Sequence, residues 1–272
     1  MVSTDTENSH VVKIENMTSH YGSVKCLDNI NLTINQREIM VVMGHSGSGK
    51  STLFRHILGL KAPTSGSIQV LGKELTGLNK EGLYELRKHI GVAFQNGALF
   101  SSLNVLENVE LPLREHTELD ENTIRIMTRM KLEQMNLAEF EELMPSELSG
   151  GMLKRAGLAR AVVMDPKLLF FDEPSAGLDP ITSAELDQLI LQLRDALNMT
   201  IVIVTHELES AFSVADRITV MDRGQQIMTG TKEEIRASTD PRIANMLARK
   251  ARDEEIDGDA YLERLIESQR VK

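Results

Sequence analysis

A chain of 272 residues with 41% hydrophobic and 26% charged side chains has the composition of a globular protein able to bury a substantial α/β core. A formal charge of −10, an aromatic share of 4% and the lack of any Trp argue against a nucleic-acid surface, which is basic and, for single strands, lined with stacking rings. The single cysteine, Cys26, excludes an intramolecular disulfide and a thiolate zinc cluster, and reads as a half-buried packing thiol in a reducing compartment.

No run reaches the roughly 18 to 20 apolar residues of a membrane span. The most apolar stretches, EIMVVMG, KLLFFDEP and TIVIVTHE, have the length of strands and end in turn or charged residues. The opening MVSTDTENSH shows neither the basic nor the apolar region of a signal peptide. A cytosolic chain is expected, whose membrane role, if any, comes through a partner.

In chain order, residues 1–10 are polar and expected to be flexible. VVKIENM and the alternating 30–34 predict strands, and the continuous apolar 38–43 predicts a buried central strand running into a glycine loop and the helix STLFRHILGL. GSIQVLG at 66–72 predicts a further strand, 79–88 a helix and IGVAF a strand. From 97 to about 164 strand signals vanish and apolar residues recur at helical spacing, which predicts an inserted helical subdomain. Alternation resumes with KLLFFDEP, the helix SAELDQLILQLRDAL, the strand TIVIVTHE and the pair DRITVMDRG and QQIMTG, implying a mainly parallel sheet. The charge-rich 240–272 predicts a helical extension, with an apolar stripe of Tyr261, Leu262, Leu265 and Ile266 suited to docking; a solvated tail is the alternative.

GHSGSGKS at 44–51 matches G-x-x-x-x-G-K-[ST] between a predicted strand and a predicted helix, the context of a phosphate-binding loop. Its glycines let main-chain N–H groups curl around phosphate oxygens at a helix N-terminus. Lys50 is placed to reach the β- and γ-phosphates, and Ser51 to offer its hydroxyl to Mg²⁺. LLFFDE at 168–173 is an apolar strand ending in two carboxylates. Such a pair is often plain surface charge, but beside a phosphate loop Asp172 reads as a metal ligand and Glu173 as the base facing an attacking water. His206 and Gln95 close predicted strands, whose C-terminal ends line the ligand crevice of an α/β sheet. His206 then meets a γ-phosphate, and Gln95 faces Mg²⁺ or water while leading into the insertion.

SELSGGMLKRAGLARA at 146–161 repeats the theme, a Ser-Gly-Gly turn opening a basic helix. Ser149, Gly150 and Gly151 form a second anion site, or Ser149 is simply an N-cap. One nucleotide needs one cradle, so a second cradle suits a nucleotide shared between two copies.

In order and spacing these segments resemble the nucleotide-binding subunits of the ABC transporter family over residues 10–235. The resemblance implies an α/β P-loop NTPase fold with a mainly parallel core sheet, an N-terminal antiparallel β subdomain and an inserted helical subdomain, within a nucleotide-binding domain of 11–239. It implies ATP and Mg²⁺ as cofactors, with Tyr21 stacking on adenine and Gly44, His45, Ser46, Gly47, Ser48, Gly49, Lys50, Ser51 and Thr52 as the Walker A loop. His45 stands at an unconstrained position, and its side chain carries no assigned role. Gln95 corresponds to the Q-loop, Leu148 to Met152 to the signature, Asp172 and Glu173 to Walker B, Ser175 to Asp179 to the D-loop and His206 to the switch histidine. Metal contacts fall to Ser51, Gln95 and Asp172, and catalysis to Glu173, His206, Lys50 and Gln95. Two chains are expected to pair head to tail, each giving its Ser149, Gly150 and Gly151 to the other's ATP. Met152 departs from the usual Gln after the glycines, yet keeps its main-chain N–H.

Within the family, 96–121, 143–152 and 172–182 are similar to ATPases serving MCE-type lipid transporters, the Mla phospholipid systems of Gram-negative bacteria. This implies a peripheral subunit on the cytoplasmic face of the inner membrane, with an Mla-type permease, a small STAS-domain subunit and a periplasmic MCE-domain protein as partners. Its work would be moving phospholipid between the two membranes to maintain outer-membrane asymmetry. Because the core motifs do not encode cargo, an importer of amino acids or other small solutes is the alternative. DNA-repair and translation ATPases fit less well, since the chain has neither a long coiled coil nor a second cassette.

Overall fold

The computed structural model describes residues 10–249. Of the residues 1–10 expected to be flexible, 1–9 lie outside the described residues and His10 opens the first strand; the stripe of Tyr261, Leu262, Leu265 and Ile266 also lies outside them. Two compact units divide the chain, one ending at Ala237 and the other beginning at Ser238.

The first unit opens with a long hairpin, β1 (His10–Tyr21) and β2 (Val24–Asn35), and continues into β3 (Ile39–Met43). All five residues of β3 are buried, as its unbroken apolar run requires. The chain then forms α1 (Lys50–Ile57), β4 (Ser65–Val70), β5 (Lys73–Glu74), α2 (Lys80–Arg87) and β6 (Ile90–Ala93). Among the described residues no strand lies between Ala93 and Leu168; the segment folds as α3 (Val105–His116), α4 (Glu121–Gln134) and α5 (Gly150–Val162), with short 3₁₀ turns. After it come β7 (Leu168–Asp172), α6 (Pro180–Leu197), β8 (Thr200–Thr205), α7 (Leu208–Val214), β9 (Arg217–Asp222), β10 (Gln225–Thr231) and α8 (Lys232–Arg236). The second unit contains α9 (Pro241–Leu247), capped by the Asp240 carboxylate on the N–H of Arg242.

The strands form one sheet in the order β5-β4-β1-β2-β10-β9-β3-β8-β7-β6. Its first four strands pair antiparallel, β2 meets β10 in a parallel bridge at Asp28 and Gln225, and β10 pairs antiparallel with β9. From β9 through β3, β8, β7 and β6 every pairing is parallel. The side chains of Met40, Val42, Phe170, Val202 and Val204 share a core with Leu53, Phe54 and Ile57 of α1. Phe54 meets Phe170 edge to face, with ring centroids 4.9 Å apart. Burial of such side chains contributes about 1.5–3 kcal/mol each, so the phosphate loop is fixed by the most apolar part of the molecule.

Register decides what meets at the sheet edge. Met43 pairs with Thr205, Asp172 with Val204 and Ala93 with Phe171, so β3, β8, β7 and β6 end nearly level. The residues just beyond them therefore collect at one edge, the C-terminal crevice of a parallel sheet. Asn104 caps α3 in a reciprocal box with Glu107, and Asp120 caps α4.

Candidate functional site

The loop from Gly44 to Gly49 joins the end of β3 to the start of α1, and its glycines are forced by space and conformation. Gly44 has φ 158°, and a Cβ there would sit 2.3 Å from the Met221 carbonyl oxygen. Gly49, the N-cap of α1, has φ 104°, and its Cβ would stand 2.7 Å from Leu27 Cδ2. Any other residue would strain the backbone or push these neighbours apart. Lys50 is buried, and its Nζ donates to the carbonyls of Gly44 at 2.7 Å and His45 at 3.1 Å. Burial lowers its pKa, while the charges of Glu173 and Asp172 pull it back up. The first turn of α1 holds no acidic residue, and the buried hydroxyl of Ser48 has no hydrogen-bond partner among the described residues. A helix N-terminus, a desolvated ammonium and an unpaired buried hydroxyl together fit a polyanion such as the phosphates of ATP.

On the next strands, Asp172 ends β7 and Glu173 begins the turn after it. Burial raises the Asp172 pKa, as does the neighbouring Glu173 charge, and Lys50 and Arg55 oppose that rise. Glu173 adopts a left-handed φ of 51°, a conformation that costs a non-glycine residue roughly 1–2 kcal/mol. Its N–H donates to the Val204 carbonyl at 2.8 Å. Its carboxylate accepts from the Thr205 hydroxyl at 3.2 Å, the His206 N–H at 3.4 Å and His206 Nδ1 at 2.9 Å. Thr205 is itself oriented, because its hydroxyl oxygen accepts the Glu207 N–H at 3.0 Å.

These groups face one cleft of about 800 Å³. Residues 45–52 line it with Gln95, Asp172, Glu173 and His206, so the structure brings together the phosphate loop, both carboxylates and the two strand-end residues singled out from sequence. Ser51, Gln95 and Asp172 share the cleft and can supply a hydroxyl, an amide carbonyl and a carboxylate oxygen, a donor set suited to a hard divalent cation such as Mg²⁺. Gly44 lies beneath the lining and contributes the carbonyl that Lys50 engages.

Four expected residues lie outside this cleft: Tyr21, and the Ser149, Gly150 and Gly151 that were expected in a partner's site. Tyr21 closes β1, is 44% exposed, and carries the Lys61 ammonium 3.1 Å from its ring centroid; it does not line the cleft. Ser149, Gly150 and Gly151 open α5, also outside the lining, where the Ser149 hydroxyl accepts the Met152 N–H at 3.3 Å as an N-cap. Val24, Lys25, Arg223 and Gly224 line the cleft without having been singled out from sequence, and so does Cys26, which was read only as a packing thiol. They arrive through the β2–β10 bridge, and Gly224 packs so tightly on Cys26 that a Cβ would meet its carbonyl oxygen at 2.4 Å. Thr205 and Lys154 were missed too. A polar residue beside His206 at a strand end was the available signal for Thr205; for Lys154 there was only its place in a basic helix.

The profile of the family described as "ABC transporter" matches residues 27–176, more than half of the chain. A curated relative from Haemophilus influenzae, the intermembrane phospholipid transport system ATP-binding protein MlaF, is 42% identical over 240 residues, covering 88% of this chain and 91% of the relative. The probable ribonucleotide transport ATP-binding protein mkl of Mycobacterium tuberculosis is 40% identical, covering 87% of this chain and 66% of that protein. Among solved structures, the dimeric post-hydrolysis state of the ATP-binding cassette MJ0796 bound to ADP and Pi matches with a TM-score of 0.74 and 32% identity, over 81% of this chain and 98% of that one. A phosphate loop, a Walker B carboxylate pair and a strand-end histidine on one ABC-type sheet agree with this likeness, and the chain belongs to the ABC transporter family as an ATP-binding, ATP-hydrolysing subunit.

Proposed function

We propose that this chain is the ATPase subunit of a phospholipid-transporting ABC complex of the Mla type, peripheral to the cytoplasmic face of a Gram-negative inner membrane. Its work is to drive phospholipid between the two membranes and so maintain outer-membrane lipid asymmetry. The observation that carries the ATPase chemistry is the Glu173 carboxylate, fixed by Thr205 and His206 and opening on the same cleft as Lys50. The cargo reading rests on the phospholipid transport system named for the 42% identical relative.

In this reading the loop 44–52 holds the phosphates with its N–H groups and Lys50, and Tyr21 stacks on the adenine. Glu173 takes the proton of the water in line with the γ-phosphate, and His206 holds both the carboxylate and the phosphate oxygen. Bound at Ser51, Gln95 and Asp172, Mg²⁺ would supply charge neutralisation between the β- and γ-phosphate oxygens. Each copy of a homodimer lends Ser149, Gly150 and Gly151 to its neighbour's nucleotide. Their position at a helix N-terminus and outside their own cleft supports that sharing.

The segment 97–164 acts as the permease-facing insertion of a nucleotide-binding domain spanning 11–239, with 240–272 as a C-terminal extension for dimer and partner contacts. A groove of about 380 Å³ between the sheet and the insertion supports this, lined by Tyr84, Ile90, Phe94, Pro112 and Met164, with the Phe94 side chain 46% exposed. A permease segment seated there would feel Gln95, one residue beyond Phe94. A STAS-domain subunit and a periplasmic MCE-domain protein complete the assembly. Among the described residues no helix is long and apolar enough to cross a membrane, so crossing falls to the permease.

Purification of the tagged chain with its neighbours in mild detergent, followed by mass spectrometry of proteins and lipids, tests the cargo. Co-purified MCE protein and phospholipid support the proposal. A periplasmic solute-binding protein in their place would transfer the chain to an importer of small solutes, the second reading, which the 40% identity to a relative named for ribonucleotide transport keeps in view.

A further inference from the structure

Helix α5 begins at the Ser-Gly-Gly turn, and one turn later it grips the catalytic loop of its own chain. Lys154 Nζ donates to the main-chain oxygens of Glu173 at 3.3 Å, Pro174 at 2.5 Å and Ala176 at 2.7 Å. An ammonium has three protons, and here all of them go to the carbonyls of a single turn. The turn is the one in which Glu173 takes its left-handed conformation. Converging carbonyl dipoles of this kind are held together by a cation that donates to all of them and repel one another when it is removed.

Neighbouring contacts bind the same two segments. A Cβ on Gly151 would meet Thr182 Cγ2 at 2.8 Å, so the start of α5 lies directly against the start of α6. Arg155 Nη2 reaches the Glu185 carboxylate at 2.7 Å. The stretch from Glu173 to Glu185 is thus fastened to α5 at three successive points. Lys154 does not line the cleft, so its effect on the reaction runs through the residues it holds.

We propose that Lys154 is a positioning residue: by clamping the main chain of Glu173, Pro174 and Ala176 to α5, it sets the direction of the Glu173 carboxylate. The same clamp ties that carboxylate to the helix whose Ser149 turn serves the partner's nucleotide, so closing one site aligns the base of the other. The inference rests on the ATPase reading above.

The test uses the purified full chain, with Mg-ATP turnover and equilibrium binding of a fluorescent ATP analogue measured side by side. Lys154→Met is expected to lower kcat about 10- to 100-fold, the scale of a small misplacement of a reacting group, while nucleotide affinity stays within about twofold because the phosphate loop is untouched. Lys154→Arg, which keeps a cation and several donors, is expected to restore most of the lost turnover. Should Lys154→Met fail to fold, Lys154→Gln carries the same split of kcat from affinity. Wild-type kcat in the Met or Gln variant overturns the proposal; so does a loss of affinity matching the loss of turnover, or an Arg variant no better than Met. The ATPase reading fails separately, if the wild-type chain does not turn over ATP or Glu173→Gln is as fast as wild type.

Discussion

Nδ1 of His206 lies 2.9 Å from the Glu173 carboxylate, so the residues that follow β7 and β8 meet in one charge-assisted hydrogen bond. The pairing of Asp172 with Val204 sets it up, because Glu173 then leaves β7 level with Thr205, the last residue of β8, and His206 follows directly at the same sheet edge. Glu173→Gln removes the base but keeps the shape, and is expected to cut kcat by about 10²–10⁴-fold while ATP still binds. His206→Ala leaves the carboxylate its bonds to the Thr205 hydroxyl and the residue 206 N–H. Its loss of kcat is therefore expected to be the smaller of the two. Steady-state turnover with separate binding titrations checks the order, and equal losses would count against Glu173 as the base.

Lys50 bridges the carbonyls of Gly44 and His45, so it holds the loop as well as facing the ligand. Lys50→Met keeps the aliphatic stem but loses charge and donors. Nucleotide Kd is expected to rise at least about tenfold, roughly 1.4 kcal/mol. Titration with a fluorescent ATP analogue measures it, and an unchanged Kd would place the phosphates elsewhere.

Gly157 sits where α5 crosses the segment after Gln95, and an added Cβ would lie 2.7 Å from Gly97 Cα and 2.8 Å from its carbonyl oxygen. Alanine in a helix interior is worth about 0.8–1.0 kcal/mol over glycine, yet forcing backbones apart in a packed site costs typically 1–3 kcal/mol. With backbone atoms on both sides of the contact the clash wins, so Gly157→Ala is expected to be net destabilising by up to about 2 kcal/mol. Chemical denaturation reads this directly, and a more stable variant would mean that α5 moves away freely.

His56 is fully buried, with Nδ1 2.8 Å from the Lys61 carbonyl and Nε2 2.7 Å from the Ser19 hydroxyl. A carbonyl only accepts, so Nδ1 carries the proton and Nε2 accepts from Ser19. Burial lowers the His56 pKa below its ordinary 6.5 more than the Lys61 carbonyl raises it. Between the lowered folded value and 6.5 the unfolded chain binds more protons, so stability falls as pH drops through that window and is unaffected above it. His56→Gln is expected to flatten this part of the Tm-against-pH curve; a slope as steep as wild type would assign the acid sensitivity to another group.

Much of the site could be read from the chain because its pieces are local. The phosphate loop is a glycine pattern between a buried strand and a helix, and both flanks are visible as hydrophobic runs. The helical insertion was legible as a change of period, but which side of each helix is buried was not. On α4, Lys131 is buried against Asp165 at 2.6 Å, while Met130 beside it is 60% exposed. Hydrophobicity alone would have reversed the two, and the reversal comes from which neighbour each side chain meets.

What the sequence by itself determined was the set of chemical groups and the strand ends that carry them: Lys50, Gln95, Asp172, Glu173 and His206, each at the close or opening of a regular element. Only the tertiary structure decided that Lys25, Cys26, Arg223 and Gly224 complete the cleft, that Thr205 orients Glu173 and that Lys154 holds its turn. The first set follows from short-range periodicity and turn chemistry, which neighbouring residues specify. The second depends on strand register and helix docking, contacts between segments far apart in the chain, and no local pattern encodes those distances.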